Sequence, residues 1–155
     1  METNRFRAMN TDILLAAQGA PARVAEGFEE AARFIHASED RFTRFSDDSE
    51  LSALNRSAGT PFQASPDLFS VVSLARHFFH QTRGLFDPSI LPNLRRIGYD
   101  RSMEIIRRQG VSPLFESLLA GERPSFSEVD LDDTRGMILL PVGLSLDLGD
   151  KAGRR

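Results

Sequence analysis

The chain has 155 residues, which is enough for one domain with a hydrophobic core and hardly enough for two. Hydrophobic residues make up 41% and charged residues 26% of it, and these ordinary globular values argue against a disordered chain. The net charge of −3 argues against nucleic acid as the main partner, and the absence of cysteine excludes a disulfide framework and thiolate chemistry.

The N-terminal region carries one short apolar stretch, residues 13–17. This stretch is shorter than the core of a signal peptide and far shorter than a membrane span. We therefore expect a soluble protein with no membrane span that stays in the cytoplasm, unless an upstream segment is missing.

The first part of the chain predicts a strand followed by two helices. Residues 6–17 alternate and then become continuously apolar, which predicts one strand that contains Met9 and runs from an edge into the core. Apolar residues then recur at helical spacing over residues 23–43. Ser49 follows a turn and is placed to cap a short helix over residues 50–55.

A second long helix follows a short strand around Phe62. Residues 65–67, Ser-Pro-Asp, offer an N-cap, a proline at the first helical position and an acid in the first turn. The apolar pattern continues to about Arg83. Gly84 is suited to the left-handed conformation that commonly ends a helix.

The possible metal ligands in this half do not form a set. His36 has no second ligand one turn away, and His77 and His80 lie three residues apart without a third partner. Asp47 and Asp48 do not match a calcium-binding loop. We interpret His36 as a half-exposed helix residue, His77 and His80 as surface or core-edge residues, and the aspartates as turn and capping residues.

Residues 84–100 combine a helix stop, an acid and two prolines. Leu85 and Phe86 supply apolar surface, and Pro88 favours an extended conformation at Asp87. Such a segment suits the binding of a small molecule through a polar edge and an apolar face. The alternative is a helix-to-loop junction in which Asp87 starts a turn, and these residues alone do not decide between the two.

The last third predicts two short helical pieces and then strands. The helical pieces cover residues 102–109 and 114–120, and a hairpin joins strands at residues 129–131 and 137–140. Leucines alternate with polar residues over 144–149, which predicts a last strand whose unpaired apolar edge would favour self-association. The whole order predicts an α+β fold with a mainly antiparallel sheet and two long helices packed on one face.

Four segments stand in order along the chain: AMNTDILL near the start, FSDDSELSALNR, GLFDPSILPNL followed by GY, and LSLDLG near the end. Together they resemble the ApbE family, the FAD:protein FMN transferases, which split FAD and attach its FMN half through phosphate to a threonine of a target protein. The resemblance covers nearly the whole chain but only the first half of a full-length member. It implies half of an ApbE-like, T-fold-related domain, so that residues 1–155 form a single, incomplete domain.

The resemblance also implies which residues contact FAD. Aromatic and thioether side chains can pack on flat rings, and carboxylates can accept hydrogen bonds from ring N–H, amino or ribose hydroxyl groups. The family position matching residue 45 is often a tyrosine, so that Phe45 keeps the ring and lacks the hydroxyl. The implied FAD contacts are Met9, Phe45, Leu85, Phe86, Asp87 and Asp147.

A magnesium ion and an acceptor flavoprotein subunit complete what the resemblance implies. The backbone carbonyl matching Asp150 would hold part of the Mg²⁺, and the remaining ligands would lie in a C-terminal half that this sequence lacks. After residue 149 the chain reads DKAGRR and departs from the family pattern. No catalytic residue is assigned, and many members are exported.

Three hypotheses follow from these observations. The chain is a member of an enzyme family that transfers FMN from FAD with Mg²⁺, inactive if the missing half is essential. Alternatively, it is a non-catalytic flavin-nucleotide-binding module or a truncated remnant. The third hypothesis is a structural or interaction domain.

Overall fold

The computed structural model describes residues 1–9, 11–89 and 124–148. The two helical pieces predicted at 102–109 and 114–120 lie outside these residues. Within them, the chain begins with two antiparallel strands, β1 (Glu2–Ala8) and β2 (Thr11–Ala17), paired from Glu2 with Ala17 to Ala8 with Thr11.

The expectation of one continuous strand over residues 6–17 is wrong, because the chain reverses direction after Ala8. Met9 has a φ of 51°, which lies in the left-handed region that non-glycine residues rarely adopt. Methionine gives no turn signal in a sequence, so apolar periodicity alone could not separate two paired strands from one.

The three helices are confirmed close to their predicted bounds. They are α1 (Pro21–Phe42), α2 (Glu50–Arg56) and α3 (Pro66–Gln81). Ser49 caps α2 by accepting a hydrogen bond from the Ser52 N–H, and Ser65 caps α3 in the same way through Leu68. Gly84, after α3, has the predicted left-handed conformation with a φ of 82°.

A second sheet joins a strand between α2 and α3 to two strands after α3. Strands β3 (Phe62–Gln63), β4 (Asp130–Asp132) and β5 (Met137–Leu139) form it in the order β3-β5-β4, and a 3₁₀ turn at Phe126–Glu128 precedes β4. Ile138 pairs with Phe62 on one side and with Leu131 on the other. Every strand pair in the described ranges is antiparallel, which confirms the α+β class, with the strands divided between two sheets.

The hydrophobic core lies between the short helix, the second long helix and the three-stranded sheet. Leu51 and Leu54 come from α2, and α3 adds the face that carries Leu68 and Val72. The 3₁₀ turn contributes Phe126, which is fully buried. The cluster consists of Leu51, Leu54, Ala64, Leu68, Val72, Ala75, Phe126, Val129, Leu131, Ile138, Leu140, Leu144 and Leu146.

The first long helix packs elsewhere, against the two-stranded ribbon, and contacts α2 at its far end. No described helix is long and apolar enough to cross a membrane.

Arg41, near the end of α1, forms ion pairs with Glu50 and Asp67. Glu50 also accepts hydrogen bonds from the N–H and hydroxyl of Ser65 at 2.6 and 2.7 Å, so the N-termini of α2 and α3 are fastened together.

The segment 144–148 is not a strand, contrary to its alternating sequence. Leu144 and Leu146 are nevertheless buried as the alternation predicts, and Leu148 packs partly against the same core. The Leu146 N–H donates to the Asn55 side-chain oxygen at 2.7 Å, and the Asn55 amide donates back to the Leu146 carbonyl at 3.0 Å. The Asn55 side chain therefore forms hydrogen bonds with the backbone N–H and C=O of Leu146, a residue that was expected to lie on an unpaired strand edge.

Candidate functional site

The loop that follows α3 is fixed at both ends by hydrogen bonds. At its start, the Phe86 N–H donates to the Thr82 hydroxyl at 2.9 Å. Further on, the carbonyl of the buried Pro88 accepts a hydrogen bond from the Asp147 N–H at 2.8 Å. The loop carrying Leu85, Phe86 and Asp87 is therefore joined directly to the C-terminal segment 144–148.

Asp87 starts a turn inside this loop. Its Oδ1 accepts hydrogen bonds from the Ser89 N–H at 2.8 Å and from the Ser89 hydroxyl at 2.6 Å. This is the turn role that the sequence left open. An ionised carboxylate has about four lone-pair sites, so the turn does not use up the acceptor capacity of Asp87. The turn and ligand-binding interpretations are therefore compatible.

Asp147 forms an ion pair with Arg44, a residue that the sequence analysis did not select. Arg44 Nε lies 2.9 Å from Asp147 Oδ2, and the two side chains are only 6% and 15% exposed. A charge-assisted hydrogen bond of this kind is stronger than a neutral one, and more so where water is scarce. The two residues are separated by 103 positions, and no local pattern indicates that they meet.

Two aromatic rings, Phe45 next to Arg44 and Phe86 next to Asp87 in the chain, are left partly open to solvent. Phe45 is 42% and Phe86 43% exposed, while Leu85 is 93% exposed. The Arg44 guanidinium carbon lies 4.0 Å from the centroid of the Phe45 ring. The Phe86 ring meets Phe78 edge to face at 6.4 Å. Because the backbone that carries these rings is already fixed, packing them on a flat ligand costs little conformational entropy.

Met9 is held by a different contact. Its N–H donates to Glu39 Oε1 at 2.9 Å. Glu39 lies in the last turns of α1, and its carbonyl accepts a hydrogen bond from the Thr43 N–H. The Met9 turn is therefore tied to the helix end that leads into the loop of Arg44 and Phe45.

The candidate residues fall into three groups by their position. Asp87 and Asp147 are joined through the Pro88 hydrogen bond, and Arg44 adds Phe45 to that assembly. Leu85 and Phe86 lie on the same loop as Asp87, and Met9 is fastened to α1. Asp150 lies outside the described residues.

The described residues contain no cluster of three or more His, Cys, Asp or Glu side chains that could hold a metal ion. His36 is half-exposed on α1, as expected, and its Nδ1 lies 3.5 Å from Glu39 Oε2. His77 and His80 are exposed on α3.

An open groove of about 720 Å³ lies apart from these candidates, between the end of β2 and the first half of α1. Its walls include Leu15, Val24 and Phe28, and Arg23 is a charged residue on its rim. None of the residues considered above for flavin contact lines this groove. The bonded assembly around Asp147, rather than this groove, is therefore the candidate site.

These elements define an α+β protein with antiparallel sheets. A family model described as the ApbE family matches residues 9–152. The chain therefore belongs to the ApbE family. No curated protein matches it significantly.

Solved structures of ApbE proteins share the fold. The ApbE protein of Thermotoga maritima is 23% identical, with a TM-score of 0.72 over 96% of this chain and 47% of that one. The Pseudomonas stutzeri flavinyl transferase ApbE, in its apo form, is 17% identical, with a TM-score of 0.66 over 94% and 46%. A point mutant of the flavin transferase ApbE from Vibrio cholerae is 20% identical, with a TM-score of 0.69 over 96% and 48%. The chain thus spans about half the length of these structures.

Proposed function

We propose that this chain is part of an FAD:protein FMN transferase and that residues 1–155 supply the flavin-binding part of a single ApbE domain. The observation that carries the proposal is the junction between Asp87 and Asp147. These two acids are far apart in sequence, and one hydrogen bond from Asp147 to Pro88 joins their segments. Phe45 contacts Arg44, the ion-pair partner of Asp147, and Phe86 precedes Asp87 in the chain; both rings are partly exposed. Family membership over residues 9–152 supports it independently.

The residues of this assembly have distinct roles in the proposal. Phe45 and Phe86 pack on the flat faces of FAD, and Leu85 and Met9 add apolar contact. Asp87 and Asp147 accept hydrogen bonds from N–H, amino or hydroxyl groups of FAD. This combination of apolar faces with a few fixed polar groups is typical of cofactor sites.

The proposed reaction transfers FMN to a threonine of an acceptor flavoprotein. The threonine oxygen forms a bond to the FMN phosphorus, the pyrophosphate bond breaks, AMP leaves, and the hydroxyl proton passes to a base. Mg²⁺ would neutralise charge on the phosphates. The described residues contain no cluster of three or more His, Cys, Asp or Glu side chains, and the part proposed for them is to bind and orient the flavin half.

A second candidate is a non-catalytic flavin-nucleotide-binding module. It is favoured by the lack of a metal-ligand cluster among the described residues. The two candidates share the flavin site and differ in whether AMP is released.

The proposal is tested by titrating the purified chain with FAD, with and without Mg²⁺. The quenching of flavin fluorescence reports binding. Asp87→Ala should weaken binding by about 1–3 kcal/mol, or roughly ten- to a hundredfold, because it removes an acceptor from a partly buried contact. Phe45→Ala should cost about 0.5–1.5 kcal/mol beyond lost burial. Asp133→Ala and Phe34→Ala, at exposed positions outside the site, serve as matched controls.

Equal FAD affinities for the wild type and Asp87→Ala would refute this site. Magnesium-dependent release of AMP from FAD would identify the transferase. Tight FAD binding without AMP release, in the presence of Mg²⁺ and an acceptor protein, would instead identify the binding module.

A further inference from the structure

Arg44 carries a positive charge at a position that is almost closed to water. Only 6% of its side chain is exposed. A charge in such surroundings is costly unless an opposite charge and hydrogen bonds compensate it. The Asp147 carboxylate provides this compensation through the 2.9 Å contact with Arg44 Nε.

The same guanidinium also contacts an aromatic ring. Its central carbon lies 4.0 Å from the centroid of Phe45, a distance at which a cation is attracted to a ring face. One face of Phe45 is therefore covered by Arg44, and a flat ligand can stack only on the opposite face. Arg44 thus touches one acid and one ring of the proposed flavin site.

Asp147 is in turn fastened to the loop of Asp87. Its N–H donates to the Pro88 carbonyl at 2.8 Å, while its carboxylate is oriented by Arg44. Backbone and side chain of Asp147 are held by two different parts of the chain. Loss of Arg44 would leave the backbone bond in place but remove the ion pair with the carboxylate and the cation that packs on the ring.

We infer that Arg44 is a positioning residue for flavin binding, which fixes the Asp147 carboxylate and backs the Phe45 ring. This inference rests on the proposed function, because it concerns the same site. Arginine suits the role because its planar guanidinium can form a directed bond to a carboxylate and stack on a ring at the same time. A lysine ammonium keeps the charge but offers no planar group for stacking.

Four variants test the inference in FAD titrations: Arg44→Met, Arg44→Lys, Asp147→Asn and the double variant Arg44→Met/Asp147→Asn. Arg44→Met should weaken FAD binding roughly ten- to a hundredfold, because it removes the charge-assisted bond that orients the Asp147 carboxylate. Arg44→Lys should recover part of that loss. The double variant should bind no more weakly than Arg44→Met, because residues that act through one another are not additive.

The double variant also guards against a simple folding defect, since it removes both charges together. Thermal unfolding of each variant shows whether it remains folded. The induced circular dichroism of bound flavin should change in Arg44→Lys, which alters ring packing, in a way that lost stability alone would not produce. Arg135→Met is the matched control, because Arg135 also faces an aspartate, Asp132 at 3.8 Å, but on the exposed surface. It should leave the affinity unchanged.

The outcomes separate this inference from the proposed function. No FAD binding by the wild type would overturn both. Wild-type binding with Arg44→Met within twofold of it would overturn the inference alone. A loss in the double variant equal to the product of the two single losses would also overturn it, because Arg44 and Asp147 would then act independently.

Discussion

The Asn55 side chain takes the place of a neighbouring strand beside Leu146, which lies 91 positions further along the chain. Its side-chain amide accepts from the Leu146 N–H and donates to the Leu146 carbonyl, as a neighbouring strand would do through its backbone. The Leu146 side chain is fully buried, so its backbone groups need partners. A single residue of α2 therefore anchors the segment that carries Asp147.

Asn55→Asp should destabilise the chain by about 1–3 kcal/mol, because a carboxylate cannot donate to the Leu146 carbonyl and leaves it unpaired. Urea unfolding followed by circular dichroism measures this free energy. Asn4→Asp makes the same chemical change at an exposed position on β1 and should have little effect. Equal midpoints for the two variants would show that the Asn55 bonds contribute little.

Gly59 and Gly27 should respond to alanine in opposite directions. Gly59 has a φ of 87°, and an added Cβ would lie 2.6 Å from Val142 Cγ2, so Gly59→Ala should cost about 1–3 kcal/mol. Gly27 lies inside α1, where no described atom lies within 4 Å of an added Cβ. Gly27→Ala should therefore stabilise the chain by about 0.5–1 kcal/mol. Thermal unfolding of both variants checks the signs, and a lower melting temperature for Gly27→Ala would contradict the argument.

The Asp132 carboxylate is held in its ionised form by the turn between β4 and β5. The Thr134 hydroxyl, above all, lowers the pKa of Asp132, with further help from the N–H groups of Arg135 and Thr134. Because the folded pKa lies below the unfolded one, this stabilisation is present above the unfolded value and is lost as the pH falls through the folded value. Carbon-13 NMR titration of the carboxyl group should show a raised pKa in Thr134→Val.

Arg135→Gln is the comparison for this titration, because the charge of Arg135 is the smallest of the causes and its backbone N–H is retained. It should raise the pKa of Asp132 less than Thr134→Val does. A larger shift in Arg135→Gln would mean that charge, rather than hydrogen bonding, controls this turn.

Glu39→Ala should loosen the turn at Met9. The Met9 N–H loses its acceptor, and a hydrogen bond to a charged group typically contributes about 1.5–3 kcal/mol, less where water competes. Amide hydrogen exchange at Met9 should therefore accelerate roughly tenfold. Glu29→Ala, at an exposed position of the same helix, is the control. Unchanged exchange in Glu39→Ala would show that the ribbon alone holds the turn.

The helices were predictable because their signals are local. Ser49 and Ser65 cap the helices that they precede, since a cap is decided by residues three positions away. The turn between β4 and β5 was predictable for the same reason, because Asp132 and Gly136 lie close together in sequence. Hydrogen bonds between residues a few positions apart can therefore be predicted from the sequence without knowledge of the fold.

The remaining features depend on residues that are distant in sequence. The alternation over residues 144–148 correctly predicted which leucines are buried, but Asn55 supplies the hydrogen bonds that a strand would have needed. Met9 turns because Glu39, 30 positions away, accepts its N–H. No neighbouring residue in the sequence marks Arg44 as part of a site, because its partner Asp147 meets it only in the folded chain. Binding sites assembled in this way have no local signature.

Because the chain is synthesised from its N-terminus, the long-range contacts of residues 144–148 form later than the helices. Arg44, Asn55 and the loop at Asp87 are synthesised well before residues 144–148, which supply their partners. The contacts around Asp147 can therefore close only after residues 144–148 have been made, when the three helices already exist. Any ligand that binds this assembly favours its closed form and so stabilises the folded chain, by a free energy that rises with the logarithm of the free ligand concentration above the Kd. Under the proposed function, FAD would be such a ligand, and its binding would raise the folded fraction of the newly made protein.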